Sequence, residues 1–506
     1  MSNPLSTNFA TYLSFHIFCT DPAFQPSFRH HTADTGKPMT IARETGGKLY
    51  FLLTALCILV LARIASADSS TPPNIIYIMA DDLGYGDLGS YGQTVVQTPN
   101  LDQMAQKGLR FTNHYSDQAV CRPSRLVLWT GQHTGHTGFI TNDEYNLTGN
   151  DATVASLLQD AGYVTGGVGK WALATEESGH PNNNGFDYWM GYLDQGNAHN
   201  YYPPFLWEND KKIKLAGNVL DDSEESRGRV SQKQTTYSHT EITEAAFAFI
   251  RRNSNNPFLL HVHWTLPHAN TEAGKMFGDG MEVPDYGIYQ DEDWPKPEKG
   301  FAAMVTLMDR DVGRLIDLLK ELMLDKNTLV LFTSDNGPHS AGGHKSSYFN
   351  SSGPLRGAKR SLFEGGIRVP LIAYWPGKVK AGTVTDHLSA FWDYYPTVAE
   401  IAGIEPTGKI DGISYLPTLL GSTAQQEEHE YLYWGNKGGP TELAVRHGKW
   451  KLVKYKERGF LNFRRKTQTH LYNLETDLGE EYNVASQNPE AIKKIKALLK
   501  RDGLKM

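Results

Sequence analysis

Cysteine is scarce in this chain. Its 506 residues hold three, and Cys121 is the only one after residue 57. Cys19 and Cys57 fall in a stretch that reads as a leader, so the remainder has one thiol and no internal disulfide to form. Strong positive charge is missing too. With 49 Lys and Arg against 56 Asp and Glu, the formal charge is −7, which excludes the basic footprint of a nucleic-acid-binding protein. Long hydrophobic runs are absent except at 49–61 (LYFLLTALCILVL), preceded by Arg43 and Lys48 and followed by Ala65-Ser66-Ala67. That is the order of a secretory signal, and the run is short for a transmembrane span. Residues 1–67 are therefore expected to be a leader, the protein to be exported (periplasmic or secreted), and no stable membrane span to form. Because a signal peptide rarely begins so far before its apolar core, translation is expected to start at Met39.

What is present is an ordinary globular composition, 40% hydrophobic and 21% charged, with no visible repeats. Residues 74–80 (NIIYIMA) form a short apolar run that reads as a strand buried on both faces, and 163–168, 258–266 and 328–333 repeat the pattern. Helical periodicity lies between them at 101–107, 154–160, 240–251 and 301–324. The alternation predicts an α/β fold around a large, mainly parallel sheet flanked by helices. Residues 208–236 and 269–300 are polar or proline-punctuated and are expected to be irregular excursions. After about residue 425 the runs 431–434, 443–446 and 450–455 alternate like antiparallel strands, with a helix at 489–501. The expected division is a catalytic domain over 68–425 and a smaller C-terminal α+β subdomain over 426–506.

Polar residues follow these strands in a pattern. Asp81 and Asp82 come after the first, Lys170 after the second, His268 after the third, and Asp335 with Asn336 after the fourth. Ligand sites of open α/β sheets lie outside the carboxyl ends of the strands. Three carboxylates and an amide are hard oxygen donors suited to Ca²⁺ or Mg²⁺, although spacing alone leaves turn capping equally open. Cys121 stands in Cys-Arg-Pro-Ser-Arg, and Pro123 suits the first turn of a helix, which would put the thiol beside free backbone amides and near the cation of Arg125.

Cys-Arg-Pro-Ser-Arg followed by Thr130-Gly131 resembles the signature of the type I, formylglycine-dependent sulfatases, of the alkaline-phosphatase-like superfamily. The resemblance extends through Asp-Asp-Leu-Gly-Tyr-Gly-Asp (81–87), Thr-Pro-Asn-Leu-Asp (98–102), Gly-Lys-Trp (169–171), Ser-Asp-Asn-Gly (334–337), Asp-Gly-Ile-Ser (411–414) and Gly-Lys-Trp-Lys-Leu (448–452). It implies that a maturase converts Cys121 to Cα-formylglycine, whose aldehyde hydrate is the nucleophile. It also implies that Asp81, Asp82, Asp335, Asn336 and residue 121 hold one divalent cation, usually Ca²⁺, with Mg²⁺ the alternative. By the same resemblance Arg125 holds the formylglycine, Lys170 binds both it and sulfate, Lys359 binds sulfate near the leaving oxygen, and His268 contacts sulfate and protonates the leaving alcohol. The implied reaction is hydrolysis of a sulfate ester, of an aryl alcohol or a carbohydrate, to alcohol and inorganic sulfate.

One departure stands out. The family usually reads Gly-Lys-Trp-His-Leu-Gly, and here Ala172 replaces the histidine that assists sulfate release. His180 and His199 are the candidates for a substitute base. Two other readings remain open at this stage: a phosphoester or phosphonate hydrolase of the same fold, and an inactive homologue that binds sulfated glycans.

Overall fold

The computed structural model describes residues 71–142, 147–149, 151–435, 442–458 and 465–506. The expected leader, with Met39, lies outside the described residues. The strands run in chain order as β1 (Asn74–Ala80), β2 (Leu109–Tyr115), β3 (Val164–Lys170), β4 (Tyr188–Tyr192), β5 (Phe205–Glu208), β6 (Lys211–Lys214), β7 (Val219–Leu220), β8 (Ser231–Lys233), β9 (Phe258–His263), β10 (Thr328–Ser334), β11 (Arg368–Tyr374), β12 (Thr383–Thr385) and β13 (Ser389–Ala390). Eleven of them form one sheet in the order β12-β2-β11-β10-β1-β9-β3-β4-β5-β6, with β13 also on β2. Its centre, β10-β1-β9-β3-β4, is parallel throughout, and antiparallel pairs lie toward both edges.

The unbroken apolar character of β1 follows from this position. Ile76, Ile78 and Ala80 enter a core on one face, covered by the helices Pro99–Lys107, Ser238–Arg252 and Lys296–Glu321. Ile75, Tyr77 and Met79 enter a second core on the other face, under the helices Cys121–Thr130, Val154–Asp160 and Tyr394–Ala402. Water meets neither face, so the strand is apolar from Ile75 to Ala80 and not at every second residue, and Asn74 at its start is buried with its amide paired to Thr328 and Phe258. Among the described residues no helix is long and apolar enough to cross a membrane.

A second sheet follows, antiparallel in the order β14 (Leu432–Trp434), β15 (Leu443–His447), β16 (Trp450–Arg458) and β17 (Arg465–Asn473). Tyr433, Val445, Leu452 and Leu471 pack on Ile495 and Leu499 of the helix Pro489–Arg501. Leu432, Trp434, Ala444, Val453 and Tyr472 join the second core of the large sheet. A buried ionic group adds to this seam. Lys451 Nζ lies 2.6 Å from Glu364 Oε1 and 3.7 Å from Glu480 Oε1, and Arg368 reaches Glu364 at 3.3 Å.

The two segments expected to be irregular carry more structure than their composition suggests. Residues 208–236 hold β6 and the β7–β8 hairpin, and 269–300 hold the helix Thr271–Phe277. The long helix begins at Lys296, ahead of the expected 301, because Pro297 sits in its first turn, where no amide is needed.

Candidate active site

Four adjacent parallel strands, β10, β1, β9 and β3, bring the expected residues to one sheet edge. Asp81 and Asp82 leave β1, Asp335 and Asn336 leave β10, Lys170 ends β3, and His268 follows β9. Backbone bonds lash the exits together: the Asp335 amide donates to Ala80 O and the Asp81 amide to Leu266 O, each at 3.1 Å. Asp82 takes a left-handed backbone, φ 67°, from which its amide donates to Asp335 Oδ1 at 3.1 Å. Gly169 lets β3 close on β9, since its φ is 97° and a Cβ there would lie 2.0 Å from His263 O.

Cys121 is the first residue of its helix and fully buried, with Sγ 3.3 Å from Asp81 Oδ1. Ser124, one turn on, donates to Asp335 O at 2.7 Å and pins the helix to the end of β10. Burial pushes the Cys121 thiol up to about 12, with the charges of Asp335 and Asp81 adding to the effect. Arg125 is wholly buried and spreads its guanidinium over the same edge. Nε and Nη2 donate to Asp335 Oδ2 at 3.2 and 2.9 Å, Nη1 donates to Lys170 O at 2.7 Å, and Nη2 lies 3.6 Å from Asp81 Oδ2.

Three further groups complete the cluster. Lys170 Nζ donates to Asp81 Oδ2. Lys359 Nζ donates to Asp82 Oδ2 at 2.7 Å, and His268 Nε2 lies 3.4 Å from the same oxygen while its Nδ1 bonds Ala269 O. Ligand atoms of Asp81, Asp82, Cys121 and His268 all lie within 4.8 Å of one another. Burial, and then the Lys359 cation, hold His268 well below the usual imidazole range, so the ring is neutral here. Burial would lower the Lys359 ammonium in the same way, but the Asp82 carboxylate outweighs it and keeps Lys359 firmly charged.

The structure separates the two histidines offered as substitutes for the one missing at Ala172. His180 is not brought to the cluster: its Nε2 bonds Asn209 O at 2.8 Å and its Nδ1 accepts from the Asn182 amide at 3.4 Å. His199 is brought there, its ring stacked on His268 with centroids 4.4 Å apart. Ala172 itself is fully buried and left-handed, φ 67°, two residues past Lys170.

The donor set fits a hard divalent cation. Asn336 Nδ2 donates to Asp82 Oδ1 and to Gly337 O, while Asn336 Oδ1 is buried with no hydrogen-bond partner. A buried amide oxygen beside three buried carboxylates is costly unless a cation or donor meets it. Burial and then the charge of Asp81 raise the Asp335 carboxyl to about 7, as repulsion between gathered anions does.

Sequence reasoning missed the layer behind Arg125. Its Nη1 lies 3.2 Å from His263 Nδ1, His263 Nε2 lies 3.1 Å from His261 Nδ1, and His261 Nε2 lies 3.1 Å from the Tyr394 hydroxyl. A guanidinium only donates, so His263 Nδ1 accepts, and each ring then passes its Nε2 proton outward, His263 to His261 and His261 to Tyr394 O. The alternation of His261 and His263 on one side of β9 was the available signal, hidden inside an otherwise apolar run.

Fold and site together define a class. The sulfatase family profile matches residues 73–404, and the chain belongs to that family. It is a sulfuric ester hydrolase. A second profile, N-sulphoglucosamine sulphohydrolase, C-terminal, matches 357–504 and takes in the small sheet. The chain is 34% identical to human N-acetylgalactosamine-6-sulfatase over 71% of its own length and 67% of that protein's, and 31% identical to human arylsulfatase A over 87% and 89%. Among solved structures it is similar to one from work on metabolism of multiple glycosaminoglycans by Bacteroides thetaiotaomicron (28% identical, TM-score 0.67, 86% of this chain and 100% of that one). It is also similar to Ps i-CgsB in complex with k-i-k-neocarrahexaose (27%, TM-score 0.67, 86% and 93%).

Proposed function

We propose that this protein hydrolyses the sulfate ester of a carbohydrate, using a formylglycine made from Cys121 by a maturase and one divalent cation, Ca²⁺ before Mg²⁺. The observation that carries the proposal is the convergence of Asp81, Asp82, Asp335 and Asn336 with Cys121, Arg125, Lys170, His268 and Lys359 on one sheet edge. Charge counting supports it. Three buried carboxylates face two buried cations, Arg125 and Lys170, and the partly buried Lys359, so the cluster alone is close to neutral. Adding a divalent cation gives it a net positive field matched to an anionic ester. The carbohydrate reading is supported by relatives named for galactosamine sulfate and by a neighbour solved with an oligosaccharide.

Asp81, Asp82, Asp335 and Asn336 would hold the cation, which supplies charge neutralisation at sulfur and lowers the pKa of the nucleophilic hydroxyl at position 121. Arg125 fixes Asp335 and the end of β3, and so sets where the carboxylates stand. Lys170 and Lys359 offer ammonium protons to sulfate oxygens, which only accept. His268 Nδ1 donates to Ala269 O, so in the neutral ring Nε2 is an acceptor, and only the imidazolium, with hydrogen on both nitrogens, hands a proton from Nε2 to the departing alcohol oxygen. The buried walls exclude water, which strengthens each of these interactions.

The test is release of inorganic sulfate from 4-nitrophenyl sulfate and from O-sulfated hexosamines by maturase-processed protein. Cys121→Ala should lose that activity. Faster release of phosphate from the matching phosphate esters would assign the site to the other ester, and glycan binding without turnover would make the protein a binder.

A further inference from the structure

Beside the sulfate-facing groups stands a histidine that the reaction above leaves unused. His199 stacks on His268 with centroids 4.4 Å apart and planes 25° from parallel. The same segment is tied to His268 a second time, through the Tyr201 hydroxyl, which donates to His268 O. Its ring orientation is built from behind. His199 Nδ1 lies 3.3 Å from Thr271 Oγ1 and 3.4 Å from Glu272 Oε2. Thr271 gives its own hydroxyl proton to Glu272 Oε2 at 2.8 Å, and Arg229 holds Glu272 Oε1 at 3.2 Å. Both oxygens facing Nδ1 are therefore acceptors there, so Nδ1 carries the proton. His199 Nε2 is then a bare acceptor, and it is buried without a hydrogen-bond partner. Burial, reinforced by the charges of Lys170 and Lys359, lowers the pKa of His199 and keeps it in this neutral form despite Glu272.

The direction of that acceptor selects what it can bind. The oxygens of a sulfate ester accept hydrogen bonds and donate none, so they suit the ammonium groups of Lys170 and Lys359 but not His199 Nε2. The only donors on a sulfate ester are the hydroxyl or amide N–H groups of its alcohol half. We infer that His199 Nε2 accepts a hydrogen bond from a hydroxyl or amide N–H on the alcohol half of the substrate, and so selects carbohydrate sulfates over aryl sulfates, which have no such donor.

This rests on the sulfatase reading and deepens it. The experiment measures kcat/KM of the full, maturase-processed chain and of His199→Phe, which keeps a ring against His268 and removes the acceptor. The substrates are an O-sulfated hexosamine, its monodeoxy analogues, the 2-deoxy analogue that lacks the acylamino group, and 4-nitrophenyl sulfate. The saccharide-to-aryl ratio should fall about 10- to 100-fold in the variant. One analogue, lacking the recognised donor, should already be slow with the native enzyme and should lose nothing more in the variant, as coupled partners do in a cycle. Equal losses on saccharide and aryl sulfate would overturn the inference and make His199 part of the chemistry common to all sulfate esters. No loss on either would leave its Nε2 to water, and overturns it too. Should His199→Phe fail to fold, the native enzyme decides through the analogues alone: a flat series contradicts the assignment. A native enzyme inert on every sulfate would instead sink the sulfatase reading.

Discussion

Asn336 Nδ2 donates to Asp82 Oδ1 at 2.7 Å, and that bond fixes which end of the amide is left over. The remaining oxygen is buried and unpartnered, in company with three carboxylates. Removing the cation should stop turnover, and Ca²⁺ should restore it. Asp335→Ala should abolish activity even with excess Ca²⁺, because it removes both a hard ligand and the anchor of Arg125. Elemental analysis should find about one divalent ion per native chain and much less in the variant. Full activity in verified metal-free protein would rule this out.

The histidines behind Arg125 give a second expectation. His263→Phe leaves one guanidinium N–H without its buried acceptor, a loss of about 1–3 kcal/mol. Because Arg125 positions other groups, kcat should fall about 10-fold or more while KM changes little, and ²⁵Mg or lanthanide titration should show cation affinity reduced as the Asp335 carboxylate loosens. A change confined to thermal stability would make the histidine pair simple packing.

Ala172 raises the question of sulfate release. Where the family's histidine is absent, the alcohol should leave faster than sulfate, and rapid mixing with an aryl sulfate should give a burst of phenol. Ala172→His should then raise the steady state. His180→Ala should leave both phases unchanged, since its ring nitrogens bond Asn209 and Asn182 away from the cluster. A change in either phase on replacing His180 would contradict the placement of that residue.

Stability at the seam between the sheets should hinge on Lys451. It is fully buried against Glu364 and near Glu480, so Lys451→Met strands buried carboxylates and should cost about 3–5 kcal/mol in denaturant unfolding. Burial alone would raise the Glu364 carboxyl, but Lys451, Arg368 and Arg446 together hold it at about 2. A folded value below the unfolded value of about 4.3 means that this stability is present above the unfolded value and drains away as pH falls toward 2. A native protein whose stability is flat over that acid range would refute the pairing.

Legibility in the sequence followed burial. The central strands could be read because burial on both faces forces continuous apolar runs, and β1 and the helix 154–160 match the expected limits. β2 (LRFTNHY) and β11 (RVPLIAY) were missed because half-buried polar positions in one and Pro370 in the other break the pattern near the edge of the sheet. Asp81, Asp82, Lys170, His268, Asp335 and Asn336 were legible because they stand at or just after strand ends, whereas Cys121 and Arg125, on a helix, and Lys359, in a loop, were legible through the family resemblance. What could not be read was contact between distant segments: the relay His263–His261–Tyr394, and the pairing of His199 with Glu272 across 73 positions. Local periodicity carries no information about which loops meet.

The account stands or falls on the chemical state of residue 121. The thiol there is buried and held protonated, so an unmodified cysteine would be a poor nucleophile. The decisive measurement is mass spectrometry of the tryptic peptide containing residue 121, from protein made with a maturase, taken alongside its rate of sulfate release. The account predicts that the thiol sulfur is lost and replaced by an aldehyde, in proportion to activity across preparations. Fully active protein with an intact thiol at Cys121 would contradict it.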